Sequence, residues 1–235
     1  MKKFIKIILG LLLLPLAFNV LLSVFEISWY LLKGYSTTLY FIVGAAVYII
    51  LHCFIYDFSR LYVVAHEFSH AFAALLCGYK VSGFKLGSDS GSVRVSNINT
   101  FVLLAPYFIP LYSIILTAVY IILKFFWPQT QNYAVWFLTL LGFFTAMHFM
   151  HTFKTLTETE QIDIDKAGGG IFSFPLIILA NTALALLLAE FYFPGVLPVW
   201  DICGGILSRT WQFWKWACIK VFTLLKVLYS YIKAK

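Results

Sequence analysis

The chain has 235 residues, of which 62% are hydrophobic and only 11% are charged. Soluble domains carry about 25% charged residues, so this composition excludes an ordinary soluble protein and indicates an integral membrane protein with several spans. The net charge of +7 forms no soluble basic patch. We therefore expect the basic residues to orient the spans and to meet lipid head groups, and we do not expect nucleic acid as a partner.

The first apolar segment covers residues 7–32 and follows Lys2, Lys3 and Lys6. It is longer than the apolar region of a signal peptide, and no small-residue cleavage site follows it, so we predict a membrane span that is retained. Basic residues next to a span favour the cytoplasmic side of the membrane. The sequence therefore predicts a cytoplasmic N-terminus.

Five further apolar segments follow, and at a rise of 1.5 Å per residue most of them can cross a hydrocarbon core of about 30 Å. They cover residues 37–58, 61–77, 101–127, 133–153 and 171–193. Asp57 and Arg60 mark a break between the first two of these segments, which are either separate spans or one interrupted span. Five or six spans are therefore predicted.

A His-Glu-x-x-His sequence at residues 66–70 lies inside one of these apolar segments. In a helix, His66 and His70 lie on the same face, so both imidazoles can reach one metal ion. Glu67 is then placed to hold a metal-bound water and accept its proton, as in zinc sites with a built-in general base. The alternative is a pair of buried histidines that only bond neighbouring helices. An ionisable residue inside a bilayer costs about 2.5–3.5 kcal/mol on insertion scales, which favours the functional interpretation.

Residues 78–100 are rich in Gly and Ser and contain alternating apolar residues. This pattern predicts two short strands around a turn at residues 87–91, and a solvent-exposed loop is the alternative. The alternating residues are Val81, Phe84, Leu86, Val93 and Val95.

A third metal ligand is expected in the polar stretch at residues 152–170, because catalytic zinc usually has three protein ligands and a water. Asp163 and Asp165 are the candidates there. In a helix they are about 200° apart, so only one of them would face a metal. The alternative is that both are solvated loop carboxylates.

Three further histidines lie on other apolar segments. His148 and His151 are three residues apart and can supply the third ligand, hydrogen-bond a ligand from outside the coordination shell, or cap a helix end. His52 stands alone on its segment, and we expect packing alone to satisfy it.

The C-terminal part, from residue 207 to residue 235, has polar residues at helical spacing. They are Ser208, Gln212, Lys215, Thr223, Lys226, Ser230 and Lys233. A cationic amphipathic helix that lies in the membrane interface is predicted, because Lys215, Lys220 and Lys226 disfavour a further span.

Several of these features resemble the site-2 protease family of intramembrane zinc metalloproteases. They are the sequence His66-Glu67-Phe68-Ser69-His70-Ala71, Gly78 with the hairpin-like segment at residues 81–95, a proline-bearing span at residues 105–120, and a later Asp. The resemblance covers about residues 61–190. It implies that His66, His70 and Asp163 hold Zn²⁺ and that Glu67 activates water.

The family's usual Asp lies near Asn-Pro and Leu-Asp-Gly sequences, which this chain lacks. Asp163 is chosen because smaller family members have a similar Gln-x-Asp before a glycine and an aromatic-serine pair. Here those residues are Gln161, Gly168 and Phe172-Ser173. Asp165, His148 and His151 stay as alternative ligands or as partners of the ligands.

The fold expected is an all-α polytopic membrane protein with five or six transmembrane helices, a small β-hairpin after the His-Glu-x-x-His helix, and a C-terminal amphipathic helix. N-terminal spans are assigned to residues 1–58, a metalloprotease-like core to residues 59–193, and the interfacial helix to residues 194–235. No soluble substrate-selecting domain fits in this length.

The function expected is that of a zinc-dependent intramembrane endopeptidase, a hydrolase whose partners are the bilayer and a membrane protein or peptide substrate. One alternative is a prenyl-protein-type membrane metalloprotease with a glutamate as third ligand, for which Glu158, Glu160 and Glu190 are the candidates. Another is a non-catalytic membrane protein that binds or transports metal.

Overall fold

The computed structural model describes residues 2–34, 37–87, 91–158 and 161–233. Within these ranges the chain is mostly helical, because a backbone in lipid must satisfy its own hydrogen bonds. The elements are α1 (Lys2–Gly34), α2 (Thr38–Phe54), α3 (Ser59–Leu76), β1 (Val81–Leu86), β2 (Gly91–Val95), α4 (Thr100–Leu104), α5 (Leu111–Phe126), α6 (Ala134–Glu158), α7 (Ile162–Ala167), α8 (Gly170–Tyr192) and α9 (Val199–Lys233). Short 3-10 turns occupy Ala105–Tyr107 and Pro128–Tyr133.

Three stretches of the described chain are long and apolar enough to cross a membrane as single helices. They are Lys3–Lys33, Pro128–Thr157 and Gly170–Tyr192. Two bent helix pairs are also long and apolar enough when both helices of a pair are counted together. The bend is 119° between α2 and α3 and 83° between Thr100–Tyr107 and α5. The described chain therefore has three to five candidate spans. The helical membrane architecture agrees with the prediction. The lower predicted number, five spans, is reached only when each bent pair is counted as one span.

The break between α2 and α3 lies at residues 55–58, where Asp57 had marked it. The Asp57 Oδ1 atom accepts hydrogen bonds from the backbone nitrogen of Ser59 at 2.9 Å and from its hydroxyl at 2.5 Å. These bonds satisfy donors at the start of α3, which have no partner inside the helix. The polar residues in this apolar region therefore end one helix and begin the next.

Glycines allow the long helices to pack closely. A Cβ atom added at Gly44 of α2 would overlap the Thr139 carbonyl of α6, and one at Gly142 of α6 would overlap the Phe41 carbonyl of α2. Helices in lipid associate through such close contacts between small residues. This contact holds α2 close beside α6.

The hairpin predicted after α3 is confirmed, and the loop alternative is wrong. Strands β1 and β2 are antiparallel, with Phe84 opposite Val93 and an irregularity between Val81 and Gly83. Residues 88–90 of the predicted turn lie outside the described residues. The Phe84 ring stacks on Phe68 of α3 with centroids 4.8 Å apart, so the hairpin is attached to the His-Glu-x-x-His helix.

The C-terminal segment is helical from Val199 to Lys233. Its first turns pack on α1, where Ile202 and Ile206 cluster with Val20. Arg209 adds hydrogen bonds to Glu26 at 3.1 Å and to Ser23 at 2.6 Å. The location of the rest of α9 in the membrane interface stays a prediction. The division of the chain into three parts at residues 58 and 193 also stays a prediction.

Candidate metal centre

Helix α3 presents both predicted histidines on one side. The rings of His66 and His70 have centroids 5.0 Å apart and planes at 79°. Ala73 and Ala74 on this helix are fully buried in a cluster with Val102 of α4. Because these side chains are small, α4 approaches α3 closely enough for its backbone to contact a site residue.

That contact is a hydrogen bond between His70 and Val102. The His70 Nδ1 atom is 2.8 Å from the Val102 carbonyl oxygen. A carbonyl only accepts, so Nδ1–H donates, and in the neutral ring the lone pair is on Nε2. Partners of this kind set the tautomer and orientation of metal-binding histidines.

Asp163 lies opposite the two imidazoles. Its Oδ2 atom is 3.2 Å from Nε2 of His70 and 3.8 Å from Nε2 of His66. All three side chains are largely buried, with exposed fractions of 12% for His70, 14% for His66 and 25% for Asp163. Their candidate ligand atoms lie within 4.8 Å of one another. The structure thus brings together two histidines of one helix and a carboxylate from far along the chain.

The two aspartates have different environments because they lie on a helix. Asp163 faces the histidines, whereas Asp165 is exposed, as their angular separation in a helix requires. Within the described parts of the chain, Asp165 belongs to no cluster of potential metal ligands.

Helix α7 has only six residues, and its neighbours hold it in place. Ile164 and Ala167 are buried in a cluster that includes Tyr107 and Leu103. The Lys6 ammonium donates to the Ala167 carbonyl at 2.6 Å. Helix α1 therefore stabilises the helix that carries Asp163.

Two glycines end this helix in conformations that other residues rarely adopt. Gly168 has φ 139° and Gly169 has φ 90°, and both nitrogens donate to the Ile164 carbonyl. At Gly168, an added Cβ would also lie 2.6 Å from Cδ of Lys6. These glycines therefore supply a defined turn from α7 into α8.

The electrostatics of Asp163 follow from these surroundings. Burial opposes its ionisation, but hydrogen bonds and charge interactions with His66 and His70 outweigh burial and hold the pKa of the Asp163 carboxyl below its usual range. The side chain is therefore an anionic oxygen donor at neutral pH.

Tyr107 and Asn181 support the site through contacts that only the structure reveals. The Tyr107 ring meets His66 edge to face at 5.5 Å, and its hydroxyl donates to Oε1 of Gln161 at 2.6 Å, two residues before Asp163. Asn181 of α8 donates to the Tyr107 carbonyl at 2.8 Å. The tyrosine lies in the proline-bearing segment noted in the sequence, but nothing in the sequence indicated these contacts.

The other predicted histidines are not among the candidate ligands of this centre. His148 is buried behind it, with Nε2 3.4 Å from Oδ1 of Asn181. His151 is near His52, at a ring distance of 4.9 Å. Of the alternative glutamates, Glu190 accepts a hydrogen bond from the Gly195 nitrogen at 3.0 Å. Glu160 and the side chain of Glu158 lie outside the described residues.

Glu67 lies beneath the hairpin and is only 7% exposed. An added Cβ at Gly91 would be 2.5 Å from Cγ of Glu67, so β2 crosses directly over this side chain. Val93 of the same strand lines one cavity together with Glu67. Strand β2 of the hairpin thus holds Glu67, the residue that follows the candidate ligand His66.

A cavity of about 720 Å³ opens at this point. Its walls include His66, Glu67, His70 and Asp163, together with β2 and the end of α6. A carboxylate, three potential metal ligands and an extended strand therefore face one space. Such an arrangement can hold a metal ion, accept a proton and receive an extended peptide.

Comparison with known proteins gives one finding that bears on this site. Residues 39–111 match the model of the Peptidase M50B-like family, and this stretch contains α3 and the hairpin. Asp163 lies beyond the matched stretch. No curated protein and no solved structure matches the chain. The match supports a relationship of this chain to the site-2 protease family, whose features the His-Glu-x-x-His helix and the hairpin resemble.

Proposed function

We propose that this protein is a zinc-dependent endopeptidase that cleaves membrane-embedded proteins or peptides. The observation that carries the proposal is the meeting of His66, His70 and Asp163 beside Glu67. The family match supports a membrane metalloprotease at a coarser level. Zinc dependence, the residue roles and the site of cleavage are the proposed steps.

The three side chains fit a zinc ion. Two nitrogens and one carboxylate oxygen are a common ligand set for catalytic zinc, with bonds of about 2.0–2.2 Å. Bonds of this length place two tetrahedral ligands about 3.3 Å apart. The observed distances of 3.2 and 3.8 Å from Asp163 to the two nitrogens are close to this separation. When bound, zinc supplies a water of lowered pKa and a Lewis acid for the substrate carbonyl.

Glu67 performs the proton transfers. Its carboxylate accepts the proton as water attacks the peptide carbonyl, and it then delivers the proton to the leaving nitrogen. The hairpin above Glu67 limits its movement and excludes bulk water from one side. The side chain is thereby held in one position for both transfers.

The hairpin also supports binding of an extended substrate. The inner strand β2 lines the cavity, whereas β1 is its partner on the other side. A transmembrane helix shields its peptide bonds, so a substrate must unwind locally before hydrolysis. An unwound segment can then pair with a strand edge through main-chain hydrogen bonds.

The decisive experiment compares the wild type with Glu67→Gln after purification and reconstitution in liposomes. A single-span protein with glycine and proline in its span serves as substrate. We expect cleavage to fall about 100-fold or more, because general acid–base groups contribute about 10²–10⁴-fold to rates. The zinc content should stay at the wild-type level, since the ligands are unchanged.

Glu190→Gln is the matched control, because Glu190 lies away from the candidate ligands and bonds Gly195. It should cleave at the wild-type rate. Equal cleavage by wild type and Glu67→Gln would reject the mechanism. Zinc binding without cleavage by either form would favour a non-catalytic metal-binding protein.

A further inference from the structure

A second group of potential metal ligands lies at the bend between α2 and α3. His52 is in the last turn of α2, Asp57 is in the break, and His151 is on α6. Their candidate ligand atoms all lie within 4.8 Å of one another. None of these residues belongs to the His66 centre, so they form a separate group.

The two histidines present buried nitrogens that have no hydrogen-bond partner in the described chain. They are Nδ1 of His52 and Nε2 of His151, and the His151 residue is only 3% exposed. Buried polar atoms are nearly always paired in native proteins. Two unpaired nitrogens in one small space are therefore free to act as ligands of one shared ion.

Asp57 supplies the oxygen and the charge. Its Oδ1 atom is 3.9 Å from Nδ1 of His52, which is too long for a hydrogen bond. The separation is about 0.6 Å longer than that of two tetrahedral zinc ligands, so a small side-chain movement brings both groups onto one ion. Both hydrogen bonds from Ser59 fix the carboxylate, as outer partners of metal ligands do. The Asp57 side chain is 65% exposed, so its carboxylate can be reached from outside the protein.

Aromatic rings hold the two imidazoles in place. Tyr48 stacks on His52 with centroids 5.5 Å apart and planes at 14°. Tyr62 stacks on His151 at 5.0 Å and 15°. The rings are therefore oriented by packing before any ion binds, and this reduces the cost of assembling the site.

We propose that His52, Asp57 and His151 bind a second divalent transition-metal ion of the zinc class. Two imidazole nitrogens and one carboxylate oxygen suit zinc and leave a position for water. Such an ion joins the end of α2, the break and α6, and so holds the bend from which α3 starts. Tyr62 contacts both His151 and His66, and His151 lines the cavity of the first centre. The second ion therefore stabilises the entrance to that cavity.

The test is the zinc stoichiometry of the purified full-length protein, measured by mass spectrometry after equilibrium dialysis against zinc chloride. We expect two equivalents in the wild type and one in His151→Phe, which keeps the stacked ring but removes both nitrogens. His66→Phe should also retain one equivalent, and the double variant should bind none. His148→Gln is the matched control on the same helix and should bind two.

Two outcomes would overturn the proposal. The first is a single equivalent in the wild type that His66→Phe removes and His151→Phe keeps. The second is two equivalents in both the wild type and His151→Phe. Loss of zinc from His151→Phe but not from His66→Phe would instead refute the first centre and leave this one standing, so failures of the two proposals are distinguishable.

A second variant guards against loss of folding. Asp57→Asn changes an exposed side chain and keeps an oxygen for the Ser59 hydrogen bonds. In the His66→Phe background we expect added zinc to raise the melting temperature. With Asp57→Asn added, the same rise should require a zinc concentration at least 10-fold higher. An unchanged response would contradict the role of Asp57. Asp201→Asn, another exposed carboxylate, should leave the response as it was.

Discussion

Gly91 and Glu67 are in direct contact across the hairpin and α3. An added Cβ at residue 91 would lie 2.5 Å from Cγ of Glu67 and 3.1 Å from its carboxyl carbon. Real Cβ atoms essentially never approach another atom within 3.0 Å, so the first of these distances is not tolerated. Only glycine at this position lets β2 lie on the proposed general base, so the hairpin contacts the residue to which the proton transfers are assigned.

Gly91→Ala should therefore impair cleavage without removing the metal ligands. The new methyl group displaces either Glu67 or β2, and a displacement of about 1 Å in a catalytic group can cost about 100-fold in rate. We expect a 10- to 100-fold loss in the liposome cleavage assay with the zinc content unchanged. Gly83→Ala is the control, because an added Cβ there meets nothing within 4 Å. Equal losses in both variants would show that the hairpin, and not the contact with Glu67, is responsible.

Asp163→Asn should remove the zinc of the first centre, because a neutral amide replaces the charged oxygen ligand. We expect the zinc content to fall by one equivalent and cleavage to disappear. Asp165→Asn changes the same residue type two positions along α7, where the side chain is exposed. It should retain both zinc and activity. If Asp165→Asn were the variant that lost zinc, the assignment of the third ligand would be wrong.

Asn99→Ala should weaken the first centre indirectly. The Asn99 side chain accepts a hydrogen bond from the Val102 nitrogen at 2.9 Å and so caps α4, whose Val102 carbonyl orients His70. Loss of an N-cap costs about 0.5–2 kcal/mol, and loss of such outer partners costs about 10–100-fold in metal affinity or activity.

The comparison for this variant is Asn97→Ala. Asn97 is exposed, and its side chain bonds only the next backbone nitrogen among the contacts described for it. Competition with a zinc chelator should show about 10-fold easier extraction from Asn99→Ala than from Asn97→Ala. Equal extraction of zinc from both variants would contradict the role of Val102 in orienting His70.

Gly142→Ala should destabilise the helix pair α2–α6. The added methyl group would overlap the Phe41 carbonyl, and overpacking of this kind typically costs about 1–3 kcal/mol. We expect a lower melting temperature in detergent. Gly204→Ala is the matched helical control, since an added Cβ there meets nothing within 4 Å. It should be neutral or stabilising by about 0.5–1 kcal/mol, because alanine favours helices over glycine. A stable Gly142→Ala protein would contradict the close packing.

The sequence alone determined the parts of this protein that depend on local spacing and composition. Apolar runs predict the long helices, because lipid leaves the backbone few alternatives. The spacing of His66 and His70 places them on one helical face, and the alternating residues between 81 and 95 predict the hairpin. Each of these inferences needs only neighbours within about one or two turns of chain.

Only the tertiary structure decided which distant groups meet. Asp163 faces the histidines because α7 is helical, is bonded by Lys6 and ends at Gly168. In the sequence, Asp163 was favoured over Asp165 only through a family resemblance, because helical spacing alone did not say which of the two faces the histidines. His52 was expected to be satisfied by packing alone, yet the close contact of α2 with α6 brings its unpaired nitrogen to His151. Such contacts join segments about a hundred residues apart, and they arise from the packing of whole helices, so the periodicity of one segment carries no information about them.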